Sequence, residues 1–204
     1  MQYNNSNILE KGMPPKVKIT KEQILNVAIN ITREYGYERI NARDIAKILK
    51  CSTQPIFSNY KNMEELKSDV VSYAINLYKK SIDDEIDKKA YPAYKATGMG
   101  YIKFAKYEKE FFKLLFMQKT TTNNYDLNLH WQSVVVMAQK SSCCRKNVSE
   151  LFHLEMWLVV HGIASMQATG YMDIDENLIS TILSDTYNGL RLRFNGDNYE
   201  SDNN

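Results

Sequence analysis

The stretch "DIAKILKCSTQPIFSNYKNMEEL", residues 44–66, decides how this chain is read. Ile45, Ala46 and Leu49 recur at helical spacing and predict a short helix with one apolar face. Lys50 and Cys51 form a turn, and Ser52 is suited to cap a second short helix. Pro55 is tolerated there because first-turn amides have no intrahelical partner. Ile56 and Tyr60, four residues apart, face inward onto Ile45 and Leu49. That orientation turns Thr53, Gln54, Ser58 and Asn59 toward solvent or the rim. Asn62 then caps a further helix, with Glu65 three residues on to complete a capping box.

Upstream, Thr20 and Gln23 form another capping box. Ile24, Ala28, Ile31 and Tyr35 follow at helical spacing, and Gly36 stands at the C-cap, so a helix is expected over about 21–35. Asn41 caps the next. Three helices, of which the second and third are short and joined by three or four residues, describe a helix-turn-helix. A helix offering amides and hydroxyls on its outer face suits the major groove, where base edges present a readable donor and acceptor pattern. Arg43 and Lys61 fit phosphate contact or, for Arg43, guanine. The N-terminus of the helix capped by Asn62 offers amides to a further phosphate. The competing reading is a polar helix face that is merely solvated.

Charge favours the first of these. The 204 residues carry a formal charge of +2, but those through Asn62 hold ten basic residues against five acidic, a net +5, which leaves −3 for the remainder. A basic segment joined to a mildly acidic one points to a polyanion met by the first only. Three cysteines, two adjacent, make a poor disulfide framework, and no apolar run is long enough to span a membrane. The N-terminal residues lack the apolar core of a secretion signal. A reduced, cytoplasmic protein is expected.

Beyond residue 66 the pattern is helical throughout, with no sustained period-two alternation. The first helix there runs on to about 80, and others are expected near 91–106, 108–118, 127–140, 149–169 and 175–194. A loop at 119–126 and a polar turn at 171–175 separate them. The fold class is all-α. Asp83-Asp84-Glu85 reads as a solvated run at a helix boundary. His130, His153 and His161 are candidate ligand contacts, yet no third group stands at a metal-like spacing, so neither a metal nor another cofactor is implied. Cys143 and Cys144, beside Arg145 and Lys146, are conceivable thiol sensors. No catalytic motif occurs, and an enzyme is not expected.

Over residues 20–67, "TKEQILNVAINITREYGYERINARDIAKILKCSTQPIFSNYKNMEELK", the chain resembles the tetracycline-repressor (TetR) family of bacterial transcriptional regulators. The likeness rests on a first helix ending in "YG", the "NARDIA" start of helix two, a polar helix three ending in aromatic residues, and "KNMEEL" opening helix four. "VVHGIASMQATG" at 159–170 is similar to a subgroup signature, Trp-His-Gly, with Val160 in the tryptophan place. Lys50 stands where the family usually has glycine, Phe57 replaces a common tyrosine, and Met63 replaces a lysine.

The resemblance implies a tail at 1–19, a helix-turn-helix DNA-binding domain at 20–66, an effector-binding and dimerising helical domain at 67–195, and a tail at 196–204. It assigns DNA contact to Arg43, Ser52, Thr53, Gln54, Pro55, Phe57, Ser58, Asn59 and Lys61. It also implies a homodimer through the last two long helices, reading a near-palindromic operator in double-stranded DNA and released by a small-molecule effector. Leu151, Leu154, Leu158, Val159 and Val160 cover more than one face of the first of these helices, and Gly162, Ala164 and Ala168 permit close helix approach. Ile179, Ile182, Leu183 and Leu190 form the stripe of the second. The effector pocket is drawn from Tyr101, Phe104, Phe112, Phe116, Trp131, Met156, Trp157 and His161. Bulky and adaptable side chains suit an apolar ligand, although at helical spacing they also serve as ordinary core. Two rivals remain: a constitutive or partner-controlled regulator without ligand, and a helical enzyme or lipid carrier that binds no DNA.

Overall fold

The computed structural model describes residues 19–118, 125–142 and 149–195, and among these every regular element is helical. Apart from Ile19, the expected tails lie outside the described residues, as do the Cys143-Cys144 pair and the side chains of His130 and Trp131.

Helix α1 (Lys21–Tyr35) opens as its sequence dictates. Thr20 Oγ1 accepts the Gln23 amide while Gln23 Oε1 accepts the Thr20 amide, so two orphan donors are satisfied reciprocally. It stops at Gly36, whose φ of +89° is easily reached only without a Cβ. A single 3-10 turn (Tyr37–Arg39) leads to α2 (Ala42–Ile48), capped by Asn41 through Asp44 N–H at 2.9 Å. Lys50 follows at φ +51°, the left-handed conformation that the missing glycine foretold. The Cys51 amide reaches back to Ala46 C=O at 3.0 Å, closing the six-to-one bond of a Schellman motif.

Helix α3 (Gln54–Asn59) begins one residue later than a Ser52 cap requires. Thr53 is its N-cap, in helical rather than extended conformation, and makes no side-chain capping bond. Helix α4 (Met63–Asp87) runs seven residues past the expected end near 80. The apolar series Val70, Ala74, Tyr78, Ile82 continues at i+4 and keeps one face buried, so helix persists through the acidic run. Asp83 and Asp84 are exposed as expected, but the run lies inside the helix and not at its boundary, and Glu85 is not solvated. Glu85, three residues after Ile82, lies on the buried flank at 2% exposure and pairs with Lys88 at 2.8 Å and Lys103 at 3.0 Å. Lys103 also reaches Glu176 at 2.8 Å.

The remaining helices are α5 (Ala93–Tyr107), α6 (Lys109–Phe116), α7 (Tyr125–Ser142), α8 (Ser149–Thr169) and α9 (Glu176–Asn195). Tyr125 and Asp126, expected in a loop, already belong to α7. Helix α5 is the hub, packed against α4, α8, α9, α6 and α7. Its crossing with α4 is close enough to require Gly100, because a Cβ there would sit 2.8 Å from Ser81 C=O and 2.9 Å from Ile82 Cα. The Ser81 hydroxyl donates to Gly100 C=O across this crossing at 3.0 Å.

One buried apolar cluster runs from Ile24 in α1 through Ile45, Ile56, Leu66 and Phe104 to Leu183 in α9. A second joins Tyr94, Val134, Ala138, Phe152, Met156 and Phe194. Ala164, Ala168, Ile179 and Leu183, expected to face a partner, are buried in the chain's own core instead, with Ile182 and Leu190 half-buried. Val160 likewise packs inward, 3.4 Å from the place of a Gly98 Cβ. The apolar residues that α8 and α9 leave outside are Leu151, Leu154, Leu158, Met166, Leu178 and Leu192. Gly162 and Gly189 have nothing within 4 Å of where a Cβ would stand. Among the described residues, no helix is long and apolar enough to cross a membrane.

Candidate nucleic-acid interface

Helix α3 is six residues long and is held entirely by its neighbours. Ile56 and Tyr60 are buried among Ile24, Ile45 and Leu66, which fixes the roll of the helix. At about 1.5–3 kcal/mol for each large side chain buried, this packing outweighs the poor intrinsic stability of so short a helix. Burial first, then the negative charges of Asp69 and Glu65, hold the Tyr60 phenol far above its ordinary range, so it stays neutral. Lys21 stands 4.6 Å over the Tyr60 ring while pairing with Asp69 at 3.0 Å, clamping α1 to the start of α4 beside α3.

That roll exposes Gln54, Phe57 and Ser58, spaced i, i+3 and i+4 on one outward face, with Phe57 half exposed. Ser52 is exposed at the turn; Thr53 and Pro55 are half-buried at the rim. Arg43 and Lys61 are exposed at either end of the unit. Gln54 keeps both donor and acceptor for an outside partner. Ser58 gives its hydroxyl proton to Gln54 C=O at 2.9 Å and offers only its oxygen outward.

Asn59 is placed otherwise than expected. It is half-buried, and its amide nitrogen donates to Pro55 C=O at 2.8 Å and Ile19 C=O at 3.3 Å. It fastens the chain entering α1 onto α3, and its donors are no longer available to a base. The N-terminus of α4 also departs from a phosphate seat. Asn62 Oδ1 takes the Glu65 amide at 2.9 Å, and Glu65 accepts the Lys61 amide at 2.8 Å. With Glu64 and Glu65 in its first turn, that helix end already carries negative charge. Two cations that the sequence reading did not assign to phosphate, Lys47 and the turn residue Lys50, are both exposed between α2 and α3.

The residues expected around an effector divide into two groups. Tyr101, Phe104, Phe112, Phe116, Trp157 and His161 come together, joined by Tyr78, which the sequence reading missed although it lies on the buried stripe of α4. Trp157 stacks on His161 at 4.7 Å, and Tyr101 Oη lies 2.9 Å from His161 Nδ1. Burial lowers the His161 pKa and, as the largest effect, raises that of Tyr101, so both are uncharged near neutrality. With the imidazole proton on Nε2, Tyr101 donates to Nδ1. Met156 does not join them; it lies in the second cluster, where Tyr94 Oη meets His153 Nδ1 at 3.0 Å. The two histidines, eight apart on α8, thus each take a tyrosine of α5 seven apart from the other. Among the described residues, no three His, Cys, Asp or Glu side chains are grouped to hold a metal.

Helix α6 touches both regions. Phe112 and Phe116 face the aromatic group, while Phe111 packs edge-on against Tyr73 and under the Arg33 guanidinium of α1. Arg33 forks onto Glu108, just before α6, at 2.9 and 3.2 Å. The chain thus carries a direct mechanical link from aromatic group to α1.

No family model matches the chain, and no curated protein matches it in sequence. Its fold does match solved structures. A TetR-family protein from Vibrio parahaemolyticus aligns with TM-score 0.60 at 12% identity, over 82% of this chain and 96% of that one. A TetR-like transcriptional regulator from Rhodococcus sp. RHA1 aligns with TM-score 0.60 at 15% identity, over 89% of this chain and 97% of that one. At these identities the likeness establishes a shared all-helical fold.

Proposed function

We propose that this chain is a TetR-type, one-component transcriptional regulator acting on double-stranded DNA in the cytoplasm. Residues 20–66 form the reading head, and 67–195 the dimerising and effector-binding body. The observation that carries this reading is the outward face of α3, Gln54, Phe57 and Ser58, held by buried Ile56 and Tyr60 in a fold shared with proteins described as transcriptional regulators. Gln54 supplies the paired donor and acceptor that suit adenine, and Ser58 an acceptor. Arg43, Lys47, Lys50 and Lys61 supply charge for phosphates on either side.

The body pairs two copies through Leu151, Leu154 and Leu158 of α8 and Leu178 and Leu192 of α9, apolar residues left exposed in a single chain. Gly162 and Gly189 leave room for close approach there. A two-fold dimer presents its α3 helices to a near-palindrome with half-sites about 34 Å apart. The effector is a small, uncharged, largely aromatic molecule that competes for the Tyr101–Trp157–His161 group. Displacing Phe112 or Phe116 moves α6, and α6 pulls on α1 through Phe111 and the Arg33–Glu108 pair. The heads then lose their operator spacing, which makes the protein a repressor released by ligand.

The test is selection of bound duplexes from a randomised pool with the full-length protein. An enriched inverted repeat with half-sites one helical turn apart, bound by two chains, is the expected result. Failure to enrich any sequence, with binding indifferent to salt, overturns the reading.

A further inference from the structure

Phe57 is placed unlike the other phenylalanines. Six of the seven, Phe104, Phe111, Phe112, Phe116, Phe152 and Phe194, are buried or half-buried, whereas Phe57 is 50% exposed. It packs into neither of the buried apolar clusters. Fraying does not account for this. The Phe57 amide donates to Thr53 C=O at 3.3 Å, and the adjoining Ile56 is completely buried, so the fold itself directs the ring outward. Around it are polar groups, Gln54 and Ser58 on the same face of α3, with Lys47 and Lys50 exposed near the preceding turn.

A phenyl ring has neither donor nor acceptor, so it adds nothing to phosphate binding. What it offers is apolar area, and a partner uses that only by bringing an apolar group of its own. The inference rests on the reading of α3 as the helix that enters the major groove. Base edges there present amino groups, carbonyls and ring nitrogens, and their one apolar group is the thymine 5-methyl. A cytosine in the same place would set its amino group against the ring without an acceptor, and a purine its N7 without a donor. Gln54 lies three residues back, about 4.5 Å along the axis at roughly 1.5 Å per residue. Bases along a strand are about 3.4 Å apart, so the two side chains meet neighbouring pairs. We propose that Phe57 is a specificity-determining residue, selecting a thymine in each half-site by covering its 5-methyl group with the ring. Gln54 reads its base pair by hydrogen bonds; Phe57 reads the adjacent one by shape and by excluding water.

The experiment uses the full-length chain and the duplex enriched by selection. Each thymine is replaced in turn, in both half-sites together, by deoxyuridine, which removes the methyl and keeps every hydrogen-bonding group. Competition binding at one salt concentration is measured for the native chain, Phe57→Leu and Phe57→Ala, with circular dichroism to verify folding. One thymine, within two base pairs of the position whose preference Gln54→Ala relaxes, should prove sensitive. Uracil there should weaken the native chain about threefold to fivefold per methyl lost. Phe57→Leu, still apolar, should retain at least a twofold effect. Phe57→Ala should bind the thymine duplex more weakly than the native chain does and make no distinction between thymine and uracil. An enriched site at which no uracil weakens the native chain, or at which the effect persists undiminished in Phe57→Ala, overturns this proposal and leaves the DNA-binding reading standing. A chain that enriches no site at all fails at the earlier step, and both readings fall together.

Discussion

Replacing Glu85 with glutamine removes a charge that sequence alone would leave in water. The carboxylate is 2% exposed and touches Lys88 and Lys103. Stranding a buried charge by deleting its partner typically costs about 3–5 kcal/mol. Here the penalty is reduced, because Lys88 is more than half exposed and Lys103 keeps Glu176 at 2.8 Å. A loss of about 1–3 kcal/mol at neutral pH follows, which at about 2–4 °C per kcal/mol for a chain of this length is readily seen in a thermal melt. The pH dependence fixes the cause. Burial alone would raise the Glu85 pKa, but the hydrogen bonds and charges of Lys88 and Lys103 outweigh it and hold the group below 4.5. The folded state therefore binds this proton less readily than the unfolded one. The stabilisation is complete above about pH 4.5 and drains away as pH falls through the folded value. Glutamine does not titrate, so the gap between variant and native chain should narrow below pH 4.5. Urea unfolding at pH 7, 5, 4 and 3.5 measures it. A difference below about 0.5 kcal/mol at pH 7, or a gap unchanged down to pH 3.5, refutes the reasoning.

Lys50→Gly should stabilise the fold by about 0.5–1 kcal/mol, since relief of a left-handed backbone at φ +51°, worth about 1–2 kcal/mol, outweighs the added freedom of the unfolded chain; chemical denaturation checks it. Gly100→Ala should destabilise by about 1–3 kcal/mol despite alanine's better helix propensity, because its Cβ meets α4 backbone under 3 Å; a thermal melt followed by circular dichroism measures it. Leu158→Glu places a charge where 57% of an apolar side chain now faces outward, and sedimentation should show the proposed dimer reduced to monomer with helical circular dichroism intact.

What was legible in the sequence was local. Thr20, Asn41 and Asn62 cap helices through bonds spanning three residues, so their spacing suffices. The inward roll of α3 followed from Ile56 and Tyr60 alone. Asn59 was misread because the carbonyl it reaches, Ile19, is 40 residues away. Glu85 was misread for a related reason: Lys103 arrives from another helix. Apolar spacing on α8 and α9 announced burial without saying by what. Ile179 and Leu183 serve the chain's own core, and Met156 belongs to a different cluster from its neighbour Trp157. Tyr78 and the α6 link to Arg33 emerge only once α4, α5 and α6 are packed together.

The central claim is that Gln54 stands free on α3 to touch base edges. Its most direct test is the affinity ratio of native chain and Gln54→Ala for the selected site against a scrambled duplex, at one salt concentration. Loss of about 1–3 kcal/mol of discrimination, with affinity for the scrambled duplex unchanged, is the predicted result. An undiminished ratio in Gln54→Ala would contradict it.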